Sequence, residues 1–170
     1  MAERQDPLSA AGDRDAFVAH ADRLAACVAA AAVETATGVA WPLPGRSRPS
    51  FHLYDGTLGV ALFLAAHARL RGADAHRDLA LRAAAPLRRT LVALVRDPAK
   101  AAETVLPLGG MIGLGGYVYG LVRIGEWLES PETVRDAGEA AALFTDARID
   151  RDERLDVVGG CAGAVLALLA

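Results

Sequence analysis

"GTLGVALFL", residues 56–64, opens with two glycines three positions apart and runs straight into apolar residues. Glycine costs a helix up to about 1 kcal/mol per position relative to alanine, so two of them in one first turn need a structural reason. The pattern recurs as "GLGGYVYGL" at 113–121 and "GCAGAVLAL" at 160–168. All three obey Gly-x-x-Gly-x-x-x-x-Leu, which places Leu64, Leu121 and Leu168 eight residues after the first glycine. The copies begin 57 and 47 residues apart. Self-similarity at such a period marks a helical array in which each unit covers its neighbour's apolar face.

Between the glycine-led segments lie helices of another kind. Residues 15–36 repeat Phe17, Ala21, Leu24, Val28 and Ala32 at three- and four-residue spacing, with Asp22, Arg23 and Glu34 elsewhere, which predicts an amphipathic helix. Residues 74–96 do the same through Leu79, Ala83, Leu87, Leu91 and Leu94. A shorter copy starts at Pro131 behind Ser130 as cap and runs through Val134, Ala137 and Ala141. The order, amphipathic then glycine-led, three times over, predicts two concentric layers of helices with the apolar ones inside. At the mouth of such a ring, residues without a Cβ let backbones approach and tolerate positive φ. The gathered helix starts would offer unpaired N–H groups favouring anions or carboxylates at the centre.

Composition narrows the function classes. The chain has 170 residues, 53% of them hydrophobic and 23% charged, enough for one domain with a real core. Net charge is −3, Lys100 is the only lysine, and no basic stripe with interleaved aromatics appears, so nucleic acid is not an expected partner. Cys27 and Cys161 cannot build a disulfide framework, and no secretory pattern opens the chain, so the expected location is cytoplasmic. The uncharged run 105–122 is about long enough to span a bilayer. Its glycines and Pro107 argue for a buried element instead, and no membrane partner is expected.

"FHLYDGTLGVALFLAAHARL", "GGMIGLGGYVYGLVRIGEWL" and "RLDVVGGCAGAVLALLA", in this order, resemble successive repeats of the lanthionine synthetase C-like (LanC-like) cyclases. They are most similar to the C-terminal cyclase domain of bifunctional type 2 (LanM) lanthipeptide synthetases. The resemblance implies an all-α fold, a partial α/α toroid of about three helix-pair repeats within residues 15–170, behind a flexible segment 1–14. It also implies an activity: addition of cysteine thiols to dehydrated Ser or Thr in a ribosomal precursor peptide, giving lanthionine or methyllanthionine thioethers.

Zinc is the cofactor of the complete family domain, held by a cysteine and a later Cys-His pair. Neither "CH" nor the family's "AHG" occurs here, so metal ligands within this chain are expected to be none. The chain reads as the opening repeats of a longer cyclase, truncated at its C-terminus and without turnover alone.

One catalytic residue carries over from the family's DVxxGxxG motif, Asp156 in "LDVVGGCAG". A carboxylate just ahead of a helix start can accept a proton, and it can equally be a helix cap. Asp55, with Tyr54 beside it, is a substrate-binding candidate at the cavity mouth, and capping competes there too. Cys27 and Cys161 read as packed thiols, and His20, His52, His67 and His76 lack metal-ligand spacing.

Other classes stay open. A toroidal glycoside hydrolase would need two carboxylates flanking a cleft, and the inner motifs offer Asp55 and Asp156. A non-catalytic peptide-binding or scaffold module is the main alternative. The last glycine-led helix carries Val165, Leu166, Leu168 and Leu169, whose exposure predicts self-association through an open edge.

Overall fold

A computed structural model describes residues 9–42, 45 and 50–169. Along the chain come α1 (Ser9–Ala30), β1 (Val33–Thr35), β2 (Gly38–Ala40), α2 (Thr57–Arg71), α3 (Asp74–Arg96) and α4 (Pro98–Glu103). Then follow α5 (Leu114–Trp127), α6 (Pro131–Ala140), a single 3-10 turn, α7 (Asp146–Ile149) and α8 (Cys161–Leu169). The fold is all-α apart from one small hairpin. Of the segment 1–14, residues 1–8 lie outside the described residues and 9–14 fall within α1.

The glycine-led segments form α2, α5 and α8, each beginning one residue after the first glycine of its motif. They stand side by side, α2 on α5 and α5 on α8. The amphipathic helices form a second row behind them: α3 packs on α2, α6 packs on α5, and α3 touches α6. The core lies between the rows, where Leu58, Leu64, Leu91, Leu114, Leu121 and Ile124 are fully buried. Two of these, Leu64 and Leu121, are the template leucines. The third, Leu168, is exposed with Val165, Leu166 and Leu169 along α8.

α3 spans the expected 74–96 although Pro86 stands inside it. Proline lacks the N–H that would pair with the carbonyl four residues back, here that of Arg82. Gly38 of the hairpin packs on that carbonyl so closely that a Cβ could not fit. The rows also hold together through charge: Arg88 of α3 pairs with Asp136 of α6 through Nε at 3.0 Å and Nη2 at 2.6 Å, and with Glu132.

Two expectations are corrected. The helix expected over 15–36 ends at Ala30, and Val33–Thr35 pairs antiparallel with Gly38–Ala40, Glu34 opposite Val39. β-Branched Val33 and Thr35 favour a strand, and the short Ala36-Thr37 connection closes it. Ser130 does precede α6, but its hydroxyl pairs with the Thr133 hydroxyl at 2.9 Å rather than with a backbone amide. The apolar run 105–122 divides into a loop and the start of α5, and among the described residues no helix is long and apolar enough to cross a membrane.

Candidate functional site

Each glycine-led helix is preceded by a loop that folds back beneath its first turn; we call these strap 1 (50–56), strap 2 (107–113) and strap 3 (154–160). An α-helix leaves its first N–H groups unpaired, and here the straps supply the acceptors. Thr57 N–H donates to the Ser50 carbonyl at 2.8 Å, and Gly163 N–H donates to that of Asp156 at 3.3 Å. In α5 the amides of Leu114, Gly115 and Gly116 donate to the carbonyls of Pro107, Leu108 and Gly109 at 2.8, 3.0 and 3.0 Å.

This arrangement explains the second glycine of the template. Gly59 lies over the Leu53 carbonyl, Gly116 over that of Gly110 and Gly163 over that of Val157, six residues back each time, and a Cβ at any of them would collide with that oxygen. Close approach rather than dihedral freedom is the reason, since Gly56 has φ −135° and among the first glycines only Gly113 has a positive φ, 155°. It also narrows the expected ring of unpaired amides: Thr57 of α2, Leu114, Gly115 and Gly116 of α5 and Gly163 of α8 already have strap carbonyls as acceptors.

The hydrogen bonds that join the straps to one another run between main-chain atoms. Leu53 and Tyr54 of strap 1 donate to the Met111 carbonyl of strap 2 at 3.0 and 3.2 Å. Gly109, Gly110, Met111 and Ile112 of strap 2 donate to the carbonyls of Gly159, Val157, Val158 and again Val158 of strap 3, at 3.0–3.1 Å.

Tyr54 and Asp55, the substrate-binding candidates, both line a groove of about 520 Å³ between α1 and the start of α2, together with Leu24, Val28, Trp41 and Phe63. Tyr54 is 78% exposed at its rim. Asp55 stands one residue ahead of the N-cap, Gly56, which makes no side-chain cap bond. Its Oδ1 faces His52 Nδ1 at 3.1 Å, and the His52 ring stacks on Tyr117 with centroids 6.2 Å apart. Burial, and then the charge of Asp55, push the Tyr117 hydroxyl up to about 12. Asp55 therefore belongs to a cluster with His52 and Tyr117.

Asp156 does not line that groove. It sits on strap 3, where its Oδ1 accepts from the amides of Gly159 at 2.6 Å and Gly160 at 3.2 Å, a cap of the turn entering α8. A second carboxylate, unmarked in the sequence reading, shares that helix start: Asp152 Oδ2 accepts from Cys161 N–H at 2.5 Å. That bond holds the Asp152 carboxyl below its ordinary range, and hydrogen bonding to Asp152 pushes the Cys161 thiol up.

Residues 49–170 match the family model described as lanthionine synthetase C-like protein. The chain belongs to the LanC-like family. The match takes in all three straps and their helices and begins after α1 and the hairpin. No curated protein matches the chain. The residues present do not fit the zinc that the LanC-like resemblance implies. Among the described residues no three His, Cys, Asp or Glu side chains are grouped to hold a metal. Cys161, the only cysteine in the straps and their helices, is kept protonated beside Asp152, the reverse of what a thiolate ligand needs.

Proposed function

We propose that this LanC-like chain supplies the opening repeats of a cyclase domain, of the type 2 synthetase kind, that closes thioether rings in a ribosomal precursor peptide. Three equivalent strap-and-helix units within the family match carry this reading. The rows of helices are then a sector of an α/α toroid, and residues 15–48 belong to the same domain, since α1 packs on α2 and α3. In this reading the straps form the cavity mouth, with Tyr54 and Asp55 meeting the peptide.

Asp156 is the proposed proton acceptor. Among the described residues its Oδ1 takes two amides, which leaves Oδ2 to receive a proton from the substrate thiol. The metal that activates the thiol in the family has no place among these residues, so ring closure by the chain alone is not part of the proposal.

Two measurements test it. The purified chain should retain no stoichiometric zinc after dialysis and should not cyclise a dehydrated peptide. In a cyclase domain that contains these residues, Asp156→Asn keeps an acceptor for the two amides but loses the base, and should slow ring closure about a hundredfold or more, as general-base losses do. Wild-type ring closure by Asp156→Asn would leave Asp156 as a cap only.

A second reading, a non-catalytic peptide-binding or scaffold module, is favoured by the apolar groove beside Tyr54. Binding of a dehydrated and an undehydrated peptide with equal affinity would support it. The exposed α8 face, Val165, Leu166, Leu168 and Leu169, further suggests that the chain self-associates, which concentration-dependent sedimentation would report.

A further inference from the structure

The row of glycine-led helices has two ends, and the repeat tells which side of each helix looks along the row. On α5, Gly116 and Gly120 face the preceding unit and lie against Leu53 and Leu58, while Gly115 faces the following one, against Ala164 of α8. In the register of the template, Gly116 and Gly120 correspond to Gly59 and Phe63 of α2, 57 positions earlier. Gly115 corresponds to Ala162 of α8, 47 positions later. Residues three, four and seven positions beyond it share its side of a helix, and these are Val165, Leu166 and Leu169.

Burial follows this register. Gly116 and Gly120 are buried in the middle of the row, whereas Gly59 and Phe63 are only partly buried and line the groove beside α1. Val118, three residues beyond Gly115, is buried, and its counterpart Val165 is exposed with Leu166 and Leu169. The groove is therefore the seat that a preceding inner helix fills, and the α8 flank is the side on which a following one packs.

The straps carry the same polarity in their backbone. Tyr54 N–H donates to the Met111 carbonyl at 3.2 Å, and Met111 N–H donates to the Val158 carbonyl at 3.1 Å, so each bond runs from the earlier strap to the later. Two groups of this ladder are left over. Among the described residues, the Val158 N–H at one end donates to no group and the Tyr54 carbonyl at the other accepts from none. A donor end can join an acceptor end, but neither can join its own kind.

We propose that a second copy of this chain supplies the neighbour, with its Val165, Leu166 and Leu169 seated against Gly59, Val60 and Phe63 and its Val158 N–H donating to the Tyr54 carbonyl. The two surfaces differ, so the contact is heterologous and copies add head to tail. This rests on the self-association suggested by the α8 face and gives that face its partner surface. An α8-to-α8 pair, the simpler way to cover the same leucines, sets two donor ends together.

Sedimentation of the full chain and two variants tests this. The wild type should gain mass with concentration. Leu166→Asp places a charge on the α8 flank and Phe63→Asp places one in the groove, and each alone should stay monomeric where the wild type associates. Their equimolar mixture should double in mass and stop there, because the intact α8 flank of Phe63→Asp meets the intact groove of Leu166→Asp. Circular dichroism melts establish that each variant folds, and Leu169→Asp or Val60→Asp replaces one that does not. Association by either variant alone would overturn the proposal; by Phe63→Asp, it would favour an α8-to-α8 pair and leave the groove to a peptide. A mixture of folded variants that stays monomeric would overturn it as well. A wild type that is monomeric at every concentration refutes self-association itself. Without any variant, exchange of the Val158 amide should slow as the chain is concentrated, and unchanged exchange while the mass grows refutes the strap pairing. Ring closure by a longer domain is a separate readout that none of these outcomes touches.

Discussion

Replacing Gly163 by alanine tests the strap architecture where it is tightest. An added Cβ would lie 2.0 Å from the Val157 oxygen and 2.2 Å from the Gly110 nitrogen, two atoms that hydrogen-bond each other at 3.0 Å. The methyl would stand in the middle of that bond. Real Cβ contacts do not fall below 3.0 Å, so strap 2 and strap 3 must separate by about an ångström, a shift that takes hydrogen bonds beyond useful length. Four bonds join these straps, from Gly109, Gly110, Met111 and Ile112.

At about 0.5–1.5 kcal/mol each, their loss costs about 2–6 kcal/mol, against a gain of at most about 1 kcal/mol from alanine's helix propensity. The net loss of about 1–5 kcal/mol lowers Tm by about 2–20 °C in a domain of this size. Gly138→Ala in α6 is the control, because nothing lies within 4 Å of its Cβ position; it should raise Tm by a few degrees at most. Thermal unfolding followed by circular dichroism measures both. A Gly163→Ala protein that melts at or above the wild-type temperature would show that the glycine is not required by the strap contact.

Two further outcomes follow from the charged and aromatic contacts. In a spectrophotometric titration one of the three tyrosines should ionise only near about 12, and Tyr117→Phe should abolish that step. Because folding raises this pKa, its stabilisation is present below 10.0 and is lost as pH rises from there toward about 12; Asp55→Asn, which removes the second cause, should move the step down. Asp136→Ala leaves the Arg88 guanidinium, whose side chain is only 12% exposed, with Glu132 as its remaining carboxylate partner. Urea denaturation should then show a loss of up to about 3 kcal/mol, while Arg88→Met with Asp136→Leu together should recover most of it.

What the sequence disclosed was what repeats or what is periodic. The starts of α2, α5 and α8 follow from the spelling around Gly56, Gly113 and Gly160, and the full extent of α3 follows from its apolar spacing. The hairpin was hidden because Val33, Glu34 and Thr35 prolong an alanine-rich stretch whose helical spacing reaches Ala32, and two β-branched residues weigh little against that. At the site, Tyr54 and Asp55 are neighbours in sequence and were found together. His52 could have been found too, three residues ahead of Asp55, whereas Tyr117 is brought to it by the packing of α5 on α2. Asp152 escaped notice because it caps a helix nine residues away, beyond the usual reach of a cap. Asp156 was read as either base or cap, and the two amide bonds give it the cap at least.

The straps hydrogen-bond each other through main-chain atoms; Leu53 and Leu108 turn inward, and several other side chains are left over. Tyr54, Leu155, Val157 and Val158 are all exposed, large groups that the frame does not need in order to stand. Every residue type except proline carries the same N–H and C=O, so such a joint is indifferent to what is written on it. The exposed positions of the rim can thus be respelled while the glycines beneath keep the scaffold unchanged. Constraint and variability are interleaved along the same short loops, the invariant demand on the backbone and the freedom on the side chain.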